Sequence, residues 1–511
     1  MNHIFYKKGH ITVFLSLILT LILSLVCTTI ESARIQGVQM QLQNVTDMGI
    51  FSLFGEYSQE LLELYDLFFI DTAYGTNDGS TERVNAQIKK YAEYNVNADK
   101  ELFVFKYADM WVSEIEEVTT NNYVLASDNN GKAYYSQAVE YMKDKIGITI
   151  AERLINQYDS SIMDQQQEFE SSEDNNTNEL TTVDAAKDEY NTNYELALEE
   201  AEGDESKVEM DKPPEVENPV DSINLLKNTS ILQLVMKDYS TLSQKKITEF
   251  SQISSKRTLK SGDGTFEAQS NNALNKALFN EYLFEKFPNL LQNESSDVLN
   301  YQSEYILCGK KSDKKNLEGV VNQLLLMREG INFAYLVSDT VKRTEATELA
   351  TLLIGYLCIP ALIPILAATI LLAWAFAESI IEVRMLLSGK KVGLLKNSNN
   401  WNLQLSNLVD LSNQLDSGNE DRHGIDYEGY LKILTYFESQ NKKVMRSLDL
   451  IELSIQDKLS NNNFKIDNCT QGFTSTIDYK VGSLFLRLPF RTLNRGSSSY
   501  NYSITRDFCY Y

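Results

Sequence analysis

The chain has 511 residues, which allows two or three domains, and 43% of them are hydrophobic, which excludes a wholly disordered protein. Its formal net charge is −24, whereas a nucleic-acid-binding protein would present a basic face, so we expect no nucleic-acid partner. Only three histidines occur and no Cys-x-x-Cys pair is present. This composition argues against a multi-histidine metal site, a zinc ribbon and histidine-dependent catalysis, and we expect no metal and no cofactor.

An uncharged run near the N-terminus, ITVFLSLILTLILSLVCTTI, occupies residues 11–30. Its length is what a helix needs to cross about 30 Å of hydrocarbon, so we predict a transmembrane helix that contacts lipid. Lys7 and Lys8 precede the run, and no basic residue occurs between Arg34 and Arg83. The positive-inside rule therefore predicts a cytoplasmic tail over residues 1–10, a single pass through the cell membrane, and an extracellular domain after it.

Two alternatives exist for this apolar run. A cleaved signal peptide is disfavoured because the run exceeds the usual apolar core of about 7–15 residues and no clean cleavage site follows it. A lipoprotein anchored at Cys27 is disfavoured because Val26 stands where a small residue would be needed.

The helical pattern continues beyond the membrane segment. Apolar residues recur at spacings of three and four, which predicts one helix from about Ile11 to Phe68 and an extended amphipathic part over residues 31–74. We predict that its first apolar stripe contacts partner proteins; the stripe consists of Ile35, Val38, Leu42 and Val45. Glu31 and Arg34 are expected to form an exposed salt bridge that contributes less than about 1 kcal/mol.

The middle of the chain divides by composition. Residues 75–163 alternate helical patterns with an apolar-rich segment and predict a mixed helical head region. Residues 164–221 hold 20 acidic and 3 basic residues and few apolar ones, which predicts a disordered acidic linker. Residues 222–460 predict a helical domain.

The helical domain contains 29 uncharged residues at 349–377. Pro360 and Pro364 divide this run into pieces too short to cross a membrane alone, so we favour a buried apolar hairpin. The alternative is a second membrane span, which would return residues 378–511 to the cytoplasm.

Residues 461–511 are rich in Thr, Tyr, Phe and Val and predict two to four short β-strands. The fold class is therefore mainly α with a small C-terminal β region, preceded by a long N-terminal transmembrane helix that extends into a helical ectodomain. Cys469 and Cys509 lie at the two ends of the β region. They form a possible disulfide if the region is extracellular, and two unpaired thiols otherwise.

No nucleotide-binding, metalloprotease or serine-hydrolase motif occurs in the chain. Two carboxylate pairs lie on single helix faces, Glu378 with Glu382 and Asp449 with Glu452. With 71 acidic residues such pairs arise by chance, and we interpret them as structural. We therefore expect a protein that is not an enzyme, with no catalytic residues.

Four segments carry a resemblance to a known family. They are KKGHITVFLSLILTLILSLVCTTIESARIQGVQMQLQNVTDMGIFS, LLELYDLFFIDTAYG, residues 373–401 and residues 426–455. The chain resembles uncharacterised membrane-anchored proteins of Gram-positive anaerobes whose genes lie in tight-adherence (Tad/Flp) pilus clusters, beside TadE/TadG-like pseudopilins. One feature departs from processed prepilins: after a cut at Gly9, Phe14 would stand where most of them carry Glu.

The resemblance implies a structural role. We expect a surface-exposed, pseudopilin-like accessory component of a Tad-type pilus or secretion apparatus, whose partners are other proteins of that machinery. The alternative is a cell-surface adhesin or sensor without a pilus role. A wall-degrading enzyme acting through Asp449 or Glu452 is a third and weaker possibility.

Overall fold

The structure is a computed structural model that describes residues 4–97, 111–147, 161–292, 298–485 and 499–510. The chain forms two compact units. Unit 1 comprises Met1–Tyr141, Gln252–Ser270 and Ile451–Tyr511, and unit 2 comprises Met142–Ser251 and Asn271–Leu450. The architecture is mainly α-helical with a small β region, as the sequence predicts.

The helices of the described residues are α1 (Ile4–Phe54), α2 (Gln59–Tyr65), α3 (Thr81–Asn97), α4 (Asp128–Ile146), α5 (Ser161–Glu200), α6 (Pro219–Lys227), α7 (Ile231–Val235), α8 (Ala273–Lys286), α9 (Gln302–Cys308), α10 (Asp313–Ser338), α11 (Thr340–Ile354), α12 (Ile363–Leu387), α13 (Leu411–Gln414), α14 (Tyr427–Phe437) and α15 (Gln440–Leu459). The strands are β1 (Ile70–Asp71), β2 (Ser113–Leu125), β3 (Cys469–Gly482) and β4 (Ser499–Cys509).

Unit 1 is built around an antiparallel sheet. Its central strand β3 pairs with β2 along one edge, and with β1 and then β4 along the other. Alternate residues of β3 from Phe473 to Val481 are buried, which is the period of a strand with one face in a core. Helices α1 and α3 pack together in the same unit, and their apolar residues share one core with the sheet.

The strand β2 was not predicted from the sequence. Its residues SEIEEVTTNNYVL alternate poorly, because the pairing with β3 shifts register between Ile115 and Glu117 and again beyond Asn121. Each irregularity changes which residues face the core, so the two-residue period of a regular strand is lost.

The predicted helix from Ile11 to Phe68 is shorter in the structure. Helix α1 ends at Phe54, and a turn leads into α2, whose first turn is capped by the Ser58 hydroxyl. The apolar spacing continues across this break because both helices bury residues in unit 1, among them Leu53 and Leu61. The continuous helix predicted over residues 31–74 is therefore wrong in its C-terminal part.

Unit 2 is a helical assembly with α10 and α12 at its centre. Helices α5, α9 and α11 pack against α10, and α5, α6, α7 and α11 pack against α12. Most of α12 is buried, including Trp374 and Ile380 at 0% exposure. The uncharged run at 349–377 thus forms two helices meeting at a proline corner, as the hairpin interpretation predicts.

The acidic segment is a helix rather than the predicted disordered linker. Helix α5 covers residues up to Glu200 and packs against α10 and α12. Phe169, Asn176 and Val183 recur every seven residues and are buried, and the Asn176 side chain donates to the Thr369 hydroxyl at 2.7 Å. One buried residue every two turns anchors the helix, while its carboxylates lie on the solvent side.

Candidate functional site: the outer face of the long helix

The predicted partner stripe on α1 lies in the core of its own unit. Val38, Leu42 and Val45 have 0% exposure and share a hydrophobic cluster with residues of α3 and β3. Ile35 is partly buried against the same cluster. The prediction that these four residues contact partner proteins is therefore wrong, because their apolar spacing reflects packing against the chain itself.

The Glu31–Arg34 pair is buried, contrary to the expected exposed salt bridge. Both residues are at most 5% exposed, and the Arg34 guanidinium binds both Glu31 oxygens, at 2.7 and 3.2 Å. Arg34 also donates to the carbonyls of Trp111 and Gly482, at 3.3 and 2.7 Å. The guanidinium therefore links α1 to the backbone at one end of the β2–β3 pair, just before β2 begins and where β3 ends.

Glu31 also binds the backbone of unit 1, and we call the contacts of Glu31 and Arg34 together the junction. Its two oxygens accept hydrogen bonds from the backbone amides of Leu484 and Phe485, at 3.2 and 3.0 Å. Glu31 directly follows the uncharged run of residues 11–30. The junction thus ties the sheet of unit 1 to the helix at the point where its uncharged segment ends.

The opposite face of α1 is the surface that this packing leaves free. Met40 is 69% exposed and Met48 is 44% exposed. Asn44 lies midway between them on the same exposed line, and Phe51 extends that line at 69% exposure. Residues spaced four, four and three apart share one helix face, which we call the outer face of α1.

The edge strand β4 adjoins the outer face. The Phe51 and Phe508 rings meet edge to face with centroids 5.6 Å apart, and Arg506 Nε pairs with an Asp47 oxygen at 2.8 Å. Among the described residues no strand pairs with the second edge of β4. The outer face and β4 therefore form one continuous surface of unit 1.

No disulfide joins Cys469 and Cys509 in the structure. Cys469 is buried and lies opposite Asp71 of β1, whereas Cys509 is exposed and lies opposite Gly472. Cys509 of β4 therefore pairs with a residue of β3 that lies three positions after Cys469. The disulfide proposed from the sequence is therefore not formed in the structure.

Unit 1 also contains a polar cleft of about 350 Å³. Its lining includes Thr72, Ser80, Thr81, Asn121, Tyr123 and Lys260. The Lys260 ammonium binds the Asn468 side chain at 2.8 Å, and the Asp78 carboxylate at 3.3 Å. The hydroxyl, amide and ammonium groups of its lining give the cleft the chemistry of a polar ligand site.

The carboxylate pairs noted in the sequence are bound by cations and hydroxyls. In unit 2, Glu382 forms a two-bond pair with Arg328, at 2.8 Å for each bond, and a third contact with Lys396 at 2.8 Å. Glu378 accepts from the Lys396 ammonium at 2.6 Å. Asp449 accepts from the Tyr305 hydroxyl at 2.8 Å.

The fourth carboxylate of these pairs, Glu452, belongs to unit 1. Arg257 bridges it to Asp467 there, at 2.7 Å to Glu452 and 2.5 Å to Asp467. All four carboxylates thus have partners that hold the core together, which supports their interpretation as structural groups.

The electrostatics at Glu382 also fit a structural role. Burial by itself would raise the pKa of this carboxyl, but the charges of Arg328 and Lys396 outweigh burial and hold the pKa well below its usual range. A general acid needs a pKa near the working pH, so a permanently ionised Glu382 is unsuited to that task. Among the described residues no group of three or more His, Cys, Asp or Glu side chains is placed to hold a metal ion.

The outer face of α1 was not predicted from the sequence, because the buried stripe of Ile35, Val38, Leu42 and Val45 has the stronger apolar periodicity. Met40 and Met48 interrupt a Gln- and Asn-rich face at helical spacing. Methionines among amides distinguish this face, and their spacing of eight residues is visible in the sequence.

These observations define a mainly helical two-unit chain whose N-terminal helix is long and apolar enough to cross a membrane, with almost none of its apolar segment buried. The chain belongs to the family of unknown function DUF5702, whose family model matches residues 209–481. The match begins after α1 and β2 and ends within β3, one residue before its last residue. No curated protein and no solved structure matches the chain.

Proposed function

We propose that this protein is a membrane-anchored, surface-exposed accessory component of a Tad-type pilus or related secretion apparatus, acting through helix packing and protein–protein contacts. The observation that carries the proposal is the outer face of α1. Met40 and Met48 lie on the same continuous helix as the uncharged residues 11–30. A partner on this face would therefore meet the chain directly outside the membrane.

The kind of partner follows from this placement. A protein with its own membrane helix would emerge beside α1 and lie along it, as the subunits of pilin-like assemblies do. Flexible, polarisable methionines suit such a contact, because they adapt to the shape of the opposing helix. The resemblance of the N-terminal segment to proteins encoded beside TadE/TadG-like pseudopilins supports the choice of partner class.

The proposed topology has residues 1–10 in the cytoplasm and both units outside. Lys7 and Lys8 on the N-terminal side of the run support this orientation. The buried junction of Glu31 and Arg34 would then hold unit 1 at the outer surface of the cell membrane.

The proposal predicts that charge on the outer face removes the partners. The tagged full-length chain is purified in mild detergent from its native membranes, and the proteins recovered with it are identified by mass spectrometry. We expect pilus or secretion proteins with the unchanged chain. The double variant Met40→Asp with Met48→Asp should recover at least about tenfold less of them, since a charge buried in an apolar contact is costly.

A matched control is available on another exposed surface of unit 1. Tyr94 on α3 is 78% exposed, and Tyr94→Asp should leave partner recovery unchanged. Equal recovery with the double variant and the unchanged chain would contradict a role for the outer face. If the unchanged chain is recovered without any pilus or secretion protein, the pilus or secretion role itself is contradicted.

The polar cleft of unit 1 is the observation that favours the second candidate, a cell-surface adhesin or sensor. Its hydroxyl-bearing lining residues, such as Ser80 and Thr81, suit a small polar ligand rather than a protein helix. This function would be favoured if no machinery protein is recovered and cell adhesion or ligand binding is lost on changing Lys260.

A further inference from the structure

The corner between α11 and α12 exposes apolar side chains that no core explains. Leu352 near the end of α11 is 56% exposed, and Ile359 is 45% exposed. Cys358, Pro360 and Pro364 are exposed as well. We call residues 352–364 the hairpin tip.

The buried residues of the hairpin, inside and outside the tip, account for most of its hydrophobicity. Leu353 and Ile354 of α11 and most of α12 belong to the core of unit 2. Packing therefore explains the buried part of the uncharged run, and it leaves the exposed residues of the tip without an explanation from folding. Exposed apolar residues grouped at a turn mark a contact surface rather than a scattered surface composition.

The chemistry of the tip selects lipid as its occupant. No charge occurs anywhere from residue 349 to residue 377, so insertion of the tip would place no charged side chain in the bilayer. The helix of Pro360–Leu387 is also long and apolar enough for a membrane segment, although most of it is buried in the unit. A surface of this composition is suited to contact with acyl chains.

We propose that the hairpin tip inserts shallowly into the lipid bilayer and gives unit 2 a membrane contact of its own. This inference rests on the proposed anchoring of the chain through residues 11–30, which keeps a bilayer within reach. It adds a lipid-binding surface to the protein contacts of α1.

The backbone of the tip limits how deeply the tip can insert into the bilayer. Short turns satisfy part of the backbone hydrogen-bonding capacity of the tip, because Cys358 N donates to Gly355 O and Leu362 N donates to Ile359 O, each at 3.1 Å. Irregular backbone is not tolerated in the hydrocarbon centre, so the tip would stop near the headgroups. Within the tip, the Tyr356 ring contacts the Tyr190 ring edge to face with centroids 4.9 Å apart, and tyrosine rings suit the interfacial level of a bilayer.

The test uses three full-length single-cysteine chains reconstituted in phosphatidylcholine–phosphatidylglycerol vesicles. The first keeps the exposed thiol of Cys358 at the tip. The second keeps Cys509 on β4 of unit 1 as an exposed control. The third carries Thr20→Cys in the middle of the uncharged run. In each of the three chains, every other cysteine is replaced by alanine. Each chain is labelled with an environment-sensitive fluorophore.

Two kinds of quencher read the position of each label. Lipids with a nitroxide on the acyl chain, placed shallow or deep, quench a label in the bilayer, whereas iodide quenches a label in water. We expect the Cys358 label to be quenched at least about twofold more by the shallow lipid nitroxide than the Cys509 label is, and to be protected from iodide. The label at position 20 should respond most to the deep nitroxide.

Each other outcome has one meaning. Iodide quenching of the Cys358 label as strong as that of Cys509 would overturn the insertion. Protection of the Cys358 label from both quenchers would overturn it in favour of contact between copies of the chain. If the label at position 20 is not quenched by lipid, the anchoring itself fails, and this result is distinguishable from failure of the tip alone.

Discussion

Replacing Arg34 by Met should lower the local stability of unit 1 by about 3–5 kcal/mol, the usual cost of removing one partner of a buried ion pair. The change would leave the buried Glu31 carboxylate without its counter-charge. It would also leave the Trp111 and Gly482 carbonyls without their donor. The measurement is hydrogen–deuterium exchange of β3 in the full-length chain in mild detergent, read as the free energy of opening.

The comparison that isolates burial is Arg506→Met. Arg506 pairs with Asp47 in the same unit, but that pair is more than one third exposed, so its loss should cost less than about 1 kcal/mol. Adding Glu31→Met to Arg34→Met should restore part of the lost stability, since replacing a whole buried pair by apolar groups is often neutral. Equal small losses for Arg34→Met and Arg506→Met would mean that the Glu31–Arg34 pair is effectively exposed.

Replacing Lys443 by Met should stabilise unit 2, by about 2–4 kcal/mol at pH 6.5. Lys443 is 0% exposed and its ammonium nitrogen has no hydrogen-bond partner. Burial, with a further contribution from the nearby Lys276 charge, lowers its pKa from 10.5 to about 7, while Glu438 opposes the shift. A buried, unpaired lysine therefore opposes folding, and a methionine of similar length removes this penalty.

The gain should depend on pH in a defined direction. The folded chain releases the Lys443 proton above pH 7, whereas the unfolded chain holds it up to about pH 10.5. The penalty is therefore full below pH 7 and fades as the pH rises toward 10.5, so the advantage of Met should shrink to about 1 kcal/mol or less at pH 9.5. Denaturant unfolding of the full-length chain at the two pH values measures this difference in the free energy of unfolding.

The neighbouring residue provides the control. Lys442 is 59% exposed and pairs with Glu438, and Lys442→Met should change stability by less than about 0.5 kcal/mol at either pH. A stability gain for Lys443→Met that is the same at pH 6.5 and pH 9.5 would show that the lysine is not held neutral in the fold.

Much of the helical architecture was predictable because apolar periodicity is a local property. The apolar spacing of Val38, Leu42 and Val45 correctly indicates a helix with one buried face. Spacing alone does not reveal what covers that face, since a partner subunit and the chain's own α3 bury the same side chains. The assignment of the stripe to partners failed for this reason.

The acidic helix α5 shows the limit of arguments from composition. Its average hydrophobicity is low, and a disordered segment has the same composition. Three residues at seven-residue spacing, Phe169, Asn176 and Val183, hold it on α10 and α12. Such sparse contacts stabilise a helix only where the opposing surface is already formed, and that surface is distant in sequence.

The burial of Glu31 and Arg34 was equally inaccessible to the sequence. Their spacing of three residues indicates a pair, but its energetics depend on Trp111, Gly482 and Leu484. Those groups lie up to 453 residues away along the chain. Only the fold brings them to one end of the uncharged helix.

The central claim is that the outer face of α1 contacts a second membrane-anchored protein, and site-specific photocrosslinking tests it most directly. A photoreactive amino acid replaces Met48 in the full-length chain in living cells, and replaces Tyr94 in a control. We predict a crosslinked product from position 48, containing a pilus or secretion protein with its own membrane helix, and none from position 94. Absence of a protein product at position 48, with the chain present in the membrane, would contradict the account.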